Sequence, residues 1–170
     1  MKGKRKLRGG NRIIRGIKFW ESYSLNLDIK ILREYHREYV KIWVAPFYHL
    51  HLKRYAYPEP TRLHKRLIMN ALLNIHDTWK QKLDDLGEPY YLKIWLYESN
   101  FENSQVVCSM QEKLHFYDNA FSKSDDINFD NKYVKLNPKT AAYKWELYFD
   151  ENFDENDNFV NRDKVWLGSK

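Results

Sequence analysis

The chain has a single cysteine among its 170 residues, Cys108, so no intrachain disulfide can form, and a reducing compartment is the simplest setting. Long apolar runs are missing too. The longest near the middle is "IWVAPF", far short of the ~20 residues a membrane helix needs. The N-terminus is basic in the manner of a signal peptide, but in "NRIIRGIKFW" Arg15 and Lys18 stand where the apolar core of such a peptide belongs. There is no phosphate-binding glycine loop, no Ser-His-Asp spacing and no zinc-type cysteine cluster. These absences argue against a membrane-spanning protein, a disulfide-built scaffold and the common nucleotide-dependent enzymes. They lead us to expect a cytoplasmic protein with no cofactor and no metal. Abundant Asn, Lys, Tyr and Ile match an AT-rich bacterial or phage genome.

What is present is charge, unevenly placed. Residues 1–12 carry six basic residues and no acid; residues 13–82 hold 13 basic and 6 acidic groups, residues 83–170 hold 10 and 17. We read residues 1–12 as a flexible basic arm in which Lys4, Arg5, Lys6 and Arg8 would seek phosphates, since such cations release counterions from any nucleic acid. The arm's alternative is a solvated tail, or one lying on the chain's own acidic half. Residues 13–170 are long enough for one domain with a proper core. Aromatics at 16% and charged residues at 31% describe a globular chain and not a disordered one.

The clearest element is "PTRLHKRLIMNALLNIHDTWKQKLDDLGEP". Thr61 after Pro60 is an N-cap, and Gly87 with Pro89 is a stop. Between them Ile68, Leu72, Ile75, Trp79, Leu83 and Leu86 share one helical stripe, with Arg62, Arg66, Asp77 and Lys80 opposite. A helix over about 62–86 would be ~37 Å long at ~1.5 Å per residue, enough to cross a sheet. His64 and His76 fall at the edge of its buried stripe and read as core-edge histidines.

This helix is flanked by two near-copies of one string, "YVKIWV" (Tyr39–Val44) and "YLKIWL" (Tyr91–Leu96). Both are rich in β-branched and aromatic residues and read as strands. Alternation puts Val40, Ile42 and Val44 on one face with Leu92, Ile94 and Leu96, under the helix. It puts Tyr39, Lys41 and Trp43 on the other, beside Tyr91, Lys93 and Trp95. Upstream, "SYSLNLDIKIL" alternates like a half-buried strand, yet "LDIKILREYHREY" also fits a helix, and we expect a shorter helix near 28–38. Downstream, "SQVVCSM" and "KLHFYD" form a hairpin, "YKWELYF" and "KVWL" are strands, and residues 119–141 are a long polar loop. The fold expected is α+β: a mixed or mainly antiparallel sheet with the long helix packed across it.

Four constellations carry chemistry. A Tyr-Lys-Trp sheet face offers rings for base stacking and cations for phosphates, and Lys41, Trp43, Lys93 and Trp95 would bind; the same alternation also suits a covered second side of the sheet. In "YHLHLKRY", His49 and His51 would point to one side of a strand, as metal ligation demands, with Lys53 and Arg54 beside them. The string resembles the His-hydrophobic-His motif of rolling-circle replication and relaxase nucleases, and Tyr90 with Lys93 resembles that family's Tyr-x-x-Lys motif. The resemblance implies a metal-dependent phosphodiesterase, but the helix over 62–86 contains no nucleophilic tyrosine and Tyr90 falls on a strand. If "SQVVCSMQEKLHFYD" turns at Gln111 and Glu112, Cys108 opposes His115, close enough for a thiolate-imidazolium pair. Lastly Asp150, Asn152 and Asp154 begin with calcium-loop spacing, but Glu155 replaces the required glycine and Asn161 the bidentate glutamate, so a solvated turn is expected.

Taken together, the residues favour a non-catalytic binder of nucleic acid or another phosphate-rich ligand, using the arm, Lys53, Arg54, Arg62 and Arg66, with Tyr and Trp stacking bases. The alternative is a protein-interaction module, an inhibitor or assembly partner or a homo-oligomer, using exposed aromatics. An enzyme built on His49 and His51, or on Cys108 with His115, comes third. No membrane partner is expected.

Overall fold

The computed structural model describes residues 10–34, 39–44, 60–99, 101–111, 114, 121–123, 132–153, 155–156 and 158–170. Lys4, Arg5, Lys6, Arg8, His49, His51, Lys53, Arg54 and His115 lie outside the described residues. So does much of the segment expected as a loop over 119–141.

One long helix lies on one side of an antiparallel six-stranded sheet. Helix α3 (Arg62–Asp84) starts at Thr61, whose hydroxyl accepts from the His64 backbone N–H at 3.3 Å while the His64 Nδ1 accepts from Thr61 N–H at 3.4 Å. This reciprocal cap satisfies two donors that a helix start otherwise leaves bare. Gly87 takes φ +66°, a left-handed turn that suits glycine and ends the helix region. The expected stripe is buried: Ile68, Leu72, Ile75 and Trp79 are wholly so, and Leu83 nearly so. Leu86, past the helix end, is exposed.

The strands are β1 (Val40–Val44), β2 (Tyr91–Tyr97), β3 (Gln105–Ser109), β4 (Phe121–Lys123), β5 (Lys144–Phe153) and β6 (Phe159–Ser169), in spatial order β1-β3-β2-β6-β5-β4. The repeated strings are therefore not neighbours. Each pairs antiparallel with a different edge of β3, so they run parallel to each other with β3 between them. Tight local connections explain the rest: a 3-10 turn at Phe101–Asn103 joins β2 to β3, and β5 and β6 form one long hairpin. Of the stretch "DENFDENDNF", Asp150–Phe153 continue β5 and Phe159 begins β6, so among the described residues the turn expected there is confined to Glu155 and Asn156.

Two corrections follow from tertiary packing. Residues 10–25 form helix α1 (Gly10–Leu25), so Gly10, Asn11 and Arg12 belong to a helix that the sequence divided between an arm and a strand-like alternation. Ile13, Ile17 and Ser24 are its buried face. Ser24 is the reason the pattern misleads: its hydroxyl is satisfied by the Ile42 carbonyl at 3.0 Å, and its own carbonyl takes the Trp79 Nε1–H at 3.0 Å. The helix expected near 28–38 is the single turn α2 (Ile31–Glu34) among the described residues. Lys82 then donates to the Leu25 and Leu27 carbonyls at 2.9 and 3.3 Å, capping the end of α1 from α3.

The core divides by sheet face. Under the helices lie Ile42, Trp43, Leu92, Ile94, Leu96, Val106, Cys108 and Trp166. The other face gathers Tyr91, Trp95, Val107, Leu114, Val165 and Leu167, with Tyr39, Tyr97 and Tyr148 against them. Among the described residues, no helix is long and apolar enough to cross a membrane.

Candidate functional site

The outer face of α3 is the floor of an open groove of about 1520 Å³. Arg62, Arg66, Asn70 and Asn74 recur every fourth residue along that floor, in steps of about 6 Å. One wall is α1, represented by Glu21. The other is the segment 132–139, built from two 3-10 turns at Val134–Leu136 and Pro138–Ala142. Asn137 caps the second turn, accepting the Lys139 N–H at 2.8 Å, and Pro138 occupies the first position, where its missing N–H costs nothing. The sheet holds this wall in place, because Trp145 on β5 donates its Nε1–H to the Thr140 carbonyl at 3.0 Å.

Among the described residues, six cations line the groove, Arg62, Lys65, Arg66, Lys132, Lys135 and Lys139, against one carboxylate, Glu21. That carboxylate is engaged by the Asn74 amide at 2.8 Å. Lys65 and Lys132 are steered by an aromatic ring: their ammonium groups lie 4.3 and 5.1 Å from the Tyr133 ring centroid, and Lys65 also meets the Tyr133 hydroxyl at 3.1 Å. Arg62, Arg66 and Lys139 are exposed, with no ion-pair partner among the described residues. So many like charges on one surface repel one another.

Of the described residues singled out as binding or catalytic candidates in the sequence, only Arg62 and Arg66 fall in this groove. Lys41 and Lys93 lie on the far face of the sheet, both flanking Val107. Lys93 is drawn to Glu146 at 3.9 Å and lies over the Tyr91 ring at 5.5 Å. Trp95 is on that far face but only 1% exposed, its Nε1–H donated to the Tyr91 hydroxyl at 3.1 Å. Trp43 is 2% exposed and on the helix side, where alternation did not put it. A bulge between Lys41 and Trp43 shifts the register by one residue and turns Trp43 to that side; both rings are buried, so neither offers a face for stacking. Lys65, Lys132, Lys135 and Lys139 were not singled out. A usable signal was there: in "KYVKLNPK" three lysines recur at intervals of three and four around an Asn-Pro helix start.

The thiol reading is overturned by topology. Both edges of β3 are occupied, so Cys108 lies across from Val40 and Leu92 and not from a returning hairpin strand bearing His115. Burial pushes its thiol up to about 12, away from the reactive thiolate. Among the described residues no three His, Cys, Asp or Glu side chains could hold a metal ion together.

A second polar cluster lies under α3. The Tyr143 hydroxyl meets Asp77 Oδ1 at 2.7 Å and His76 Nδ1 at 3.1 Å, and Lys170 reaches the same Asp77 oxygen at 2.9 Å. A phenol has one proton, and the carboxylate is the stronger acceptor, so Tyr143 donates to Asp77 and the His76 Nδ1–H donates to the phenol oxygen. His76 Nε2 is buried, with no partner within hydrogen-bond distance among the described residues. Burial accordingly pushes the imidazole down to about 4, against weaker opposite pulls from Asp77 and the Leu92 backbone. Burial also lifts the Tyr143 hydroxyl well above the usual phenol range, reinforced by Asp77. A neutral imidazole, a proton-retaining phenol and a salt-bridged carboxylate make a lock between α3, the end of the Pro138–Ala142 turn and Lys170, with no group of the three poised for proton transfer near neutral pH.

No family model, curated protein or solved structure matches the chain.

Proposed function

We propose that this protein binds nucleic acid through the α3 groove, without chemistry on its ligand and in a cytoplasmic setting. The observation that carries this reading is the ratio, among the described residues, of six cations to one engaged acid along a single open groove. Its volume exceeds the ~300–1,000 Å³ of an ordinary small-molecule site, which favours an extended polyanion. The basic arm, Lys53 and Arg54 would add to the same field. Lys41 and Lys93, on the far face, contribute to long-range attraction only.

The test is a fluorescence anisotropy titration of a labelled single-stranded oligonucleotide at increasing salt. If the groove cations each meet a phosphate, the logarithm of affinity falls with the logarithm of salt at a slope of about −4. The double variant Arg62→Glu/Arg66→Glu loses most of this affinity, and Lys41→Glu/Lys93→Glu keeps most of it. The reverse ranking, or binding indifferent to salt, defeats the reading.

A protein-interaction role is the second reading, favoured by the exposed aromatic pair Phe19 (63%) and Tyr23 (53%) on α1. Both rings pack edge-to-face on Trp20 at 5.4 and 5.5 Å. By helix geometry they sit about 160° round from Glu21, on the flank away from the groove. A self-association constant that collapses in Phe19→Ser/Tyr23→Ser would support it.

A further inference from the structure

The floor of the groove carries two side-chain amides whose orientations are fixed by their neighbours. The Lys139 backbone N–H needs an acceptor and takes the Asn137 Oδ1 at 2.8 Å, so the Asn137 Nδ2 must face the other way and donate to the Asn70 Oδ1. That turns the Asn70 Nδ2 outward, where neither of its protons has a partner among the described residues. Asn74 is set in the opposite sense. A carboxylate only accepts, so Glu21 takes the Asn74 Nδ2–H and leaves the Asn74 Oδ1 as the unspent group. One turn apart on the same helix face, the groove thus presents fixed donors and then a fixed acceptor.

A bare phosphate chain has no use for such a floor. Its oxygens only accept, so the Asn74 carbonyl oxygen and the Glu21 carboxylate repel it at that end. The ligand that suits the whole groove carries phosphates for Arg62 and Arg66 and, about one helix turn further along, groups with both N–H donors and acceptors. The edge of an unpaired nucleobase has both. The groove's shape selects the strandedness: α3 is recessed between α1 and the 132–139 wall, so it cannot stand proud as a helix must to enter the major groove of a duplex. We infer that the groove reads base edges of single-stranded nucleic acid through Asn70 and Asn74, in addition to attracting its phosphates. This rests on the groove binding nucleic acid at all.

The experiment compares three ligands of equal length on the full chain: single-stranded DNA, an abasic DNA strand and inorganic polyphosphate. Wild-type protein is expected to hold the base-bearing strand at least several-fold tighter than the other two. Asn70→Ala, which leaves the charge unchanged, is expected to lose roughly 10-fold for that strand and nothing for polyphosphate. Equal affinity for the abasic and base-bearing strands, or an Asn70→Ala loss shared by all three ligands, overturns base reading and leaves polyanion binding standing. A further titration with the corresponding duplex tests the strandedness, and tighter binding of duplex than of single strand overturns base reading as well. Failure of wild-type protein to bind any of the three overturns the groove as a polyanion site, and base reading with it. Because the abasic comparison needs no mutation, it decides the matter even if Asn70→Ala does not fold.

Discussion

Trp43 and Trp95 hold the same place in a repeated string and point to opposite faces of one sheet. Trp95 pairs across from Gln105, as strict alternation requires, but Trp43 pairs across from Val106 because one extra residue is accommodated after Lys41. Both rings are buried, one beneath the helices and one in the aromatic cluster behind the sheet. Trp43→Ala and Trp95→Ala should each cost ~3–5 kcal/mol in urea unfolding. The proteins that remain folded should bind polyanion like the wild type. A selective loss of binding with stability intact would show that one of these rings meets ligand after all.

Gly168 on β6 is a point where backbone and ring touch. A Cβ built there would lie 2.6 Å from the Trp145 ring, which cannot simply swing aside because its Nε1–H is tied to Thr140. Gly168→Ala should therefore cost ~1–3 kcal/mol and, by pushing on Trp145, disturb the wall that carries Lys139. Loss of stability accompanied by weaker polyanion binding is the expected pair of readouts from calorimetry and titration.

Acid should weaken the fold through His76. Its imidazole is held neutral down to about pH 4 in the folded chain, whereas the ordinary value is 6.5, so the unfolded chain takes up the proton first. The stability at stake is fully present above pH 6.5 and drains away as pH falls towards 4, to a total of roughly 3 kcal/mol. Asp77, held below its ordinary range by Tyr143 and Lys170 despite partial burial, adds a loss of the same sign at still lower pH. In His76→Gln the slope of urea midpoint against pH should flatten across that window.

Thr61→Ala removes the hydroxyl that caps α3 and should cost ~1 kcal/mol. The helix start would fray first, which hydrogen exchange at residues 62–66 should detect as faster exchange there than at Leu72 or Ile75.

Arg66 is where the proposed binding and stability should part. It has no acid partner among the described residues and stands one turn from Arg62, so Arg66→Gln should leave thermal stability unchanged or raise it by a few tenths of a kcal/mol. The same change should reduce the salt slope of oligonucleotide binding by a little under one unit.

Much of this architecture can be read from local chemistry. α3 is legible because Thr61, the apolar stripe and Gly87 agree with one another, and the strands are legible from β-branched and aromatic runs. α1 is not, since its buried face includes Ser24, whose hydroxyl and carbonyl are satisfied only by residues far along the chain. The bulge in β1 is invisible for a similar reason: nothing in "YVKIWV" differs in kind from "YLKIWL", and the extra residue is imposed by what lies over each strand. Half of the groove is legible as Arg62 and Arg66. Its other half sits in a stretch that reads as polar loop, and only folding brings Lys132, Lys135 and Lys139 alongside α3.

β3 has the same hexapeptide theme on its left and on its right, and this creates a kinetic problem during folding. Either copy can recognise β3 by side-chain pattern, so the first to arrive gains an edge that the other then cannot use. Chain distance breaks the tie. β2 is joined to β3 through a single 3-10 turn, whereas β1 must close a loop that includes all of α3, a slower event. The β2–β3 hairpin should therefore form before β1 pairs with the remaining edge of β3, where the second copy sits out of step by one residue with its tryptophan on the helix side.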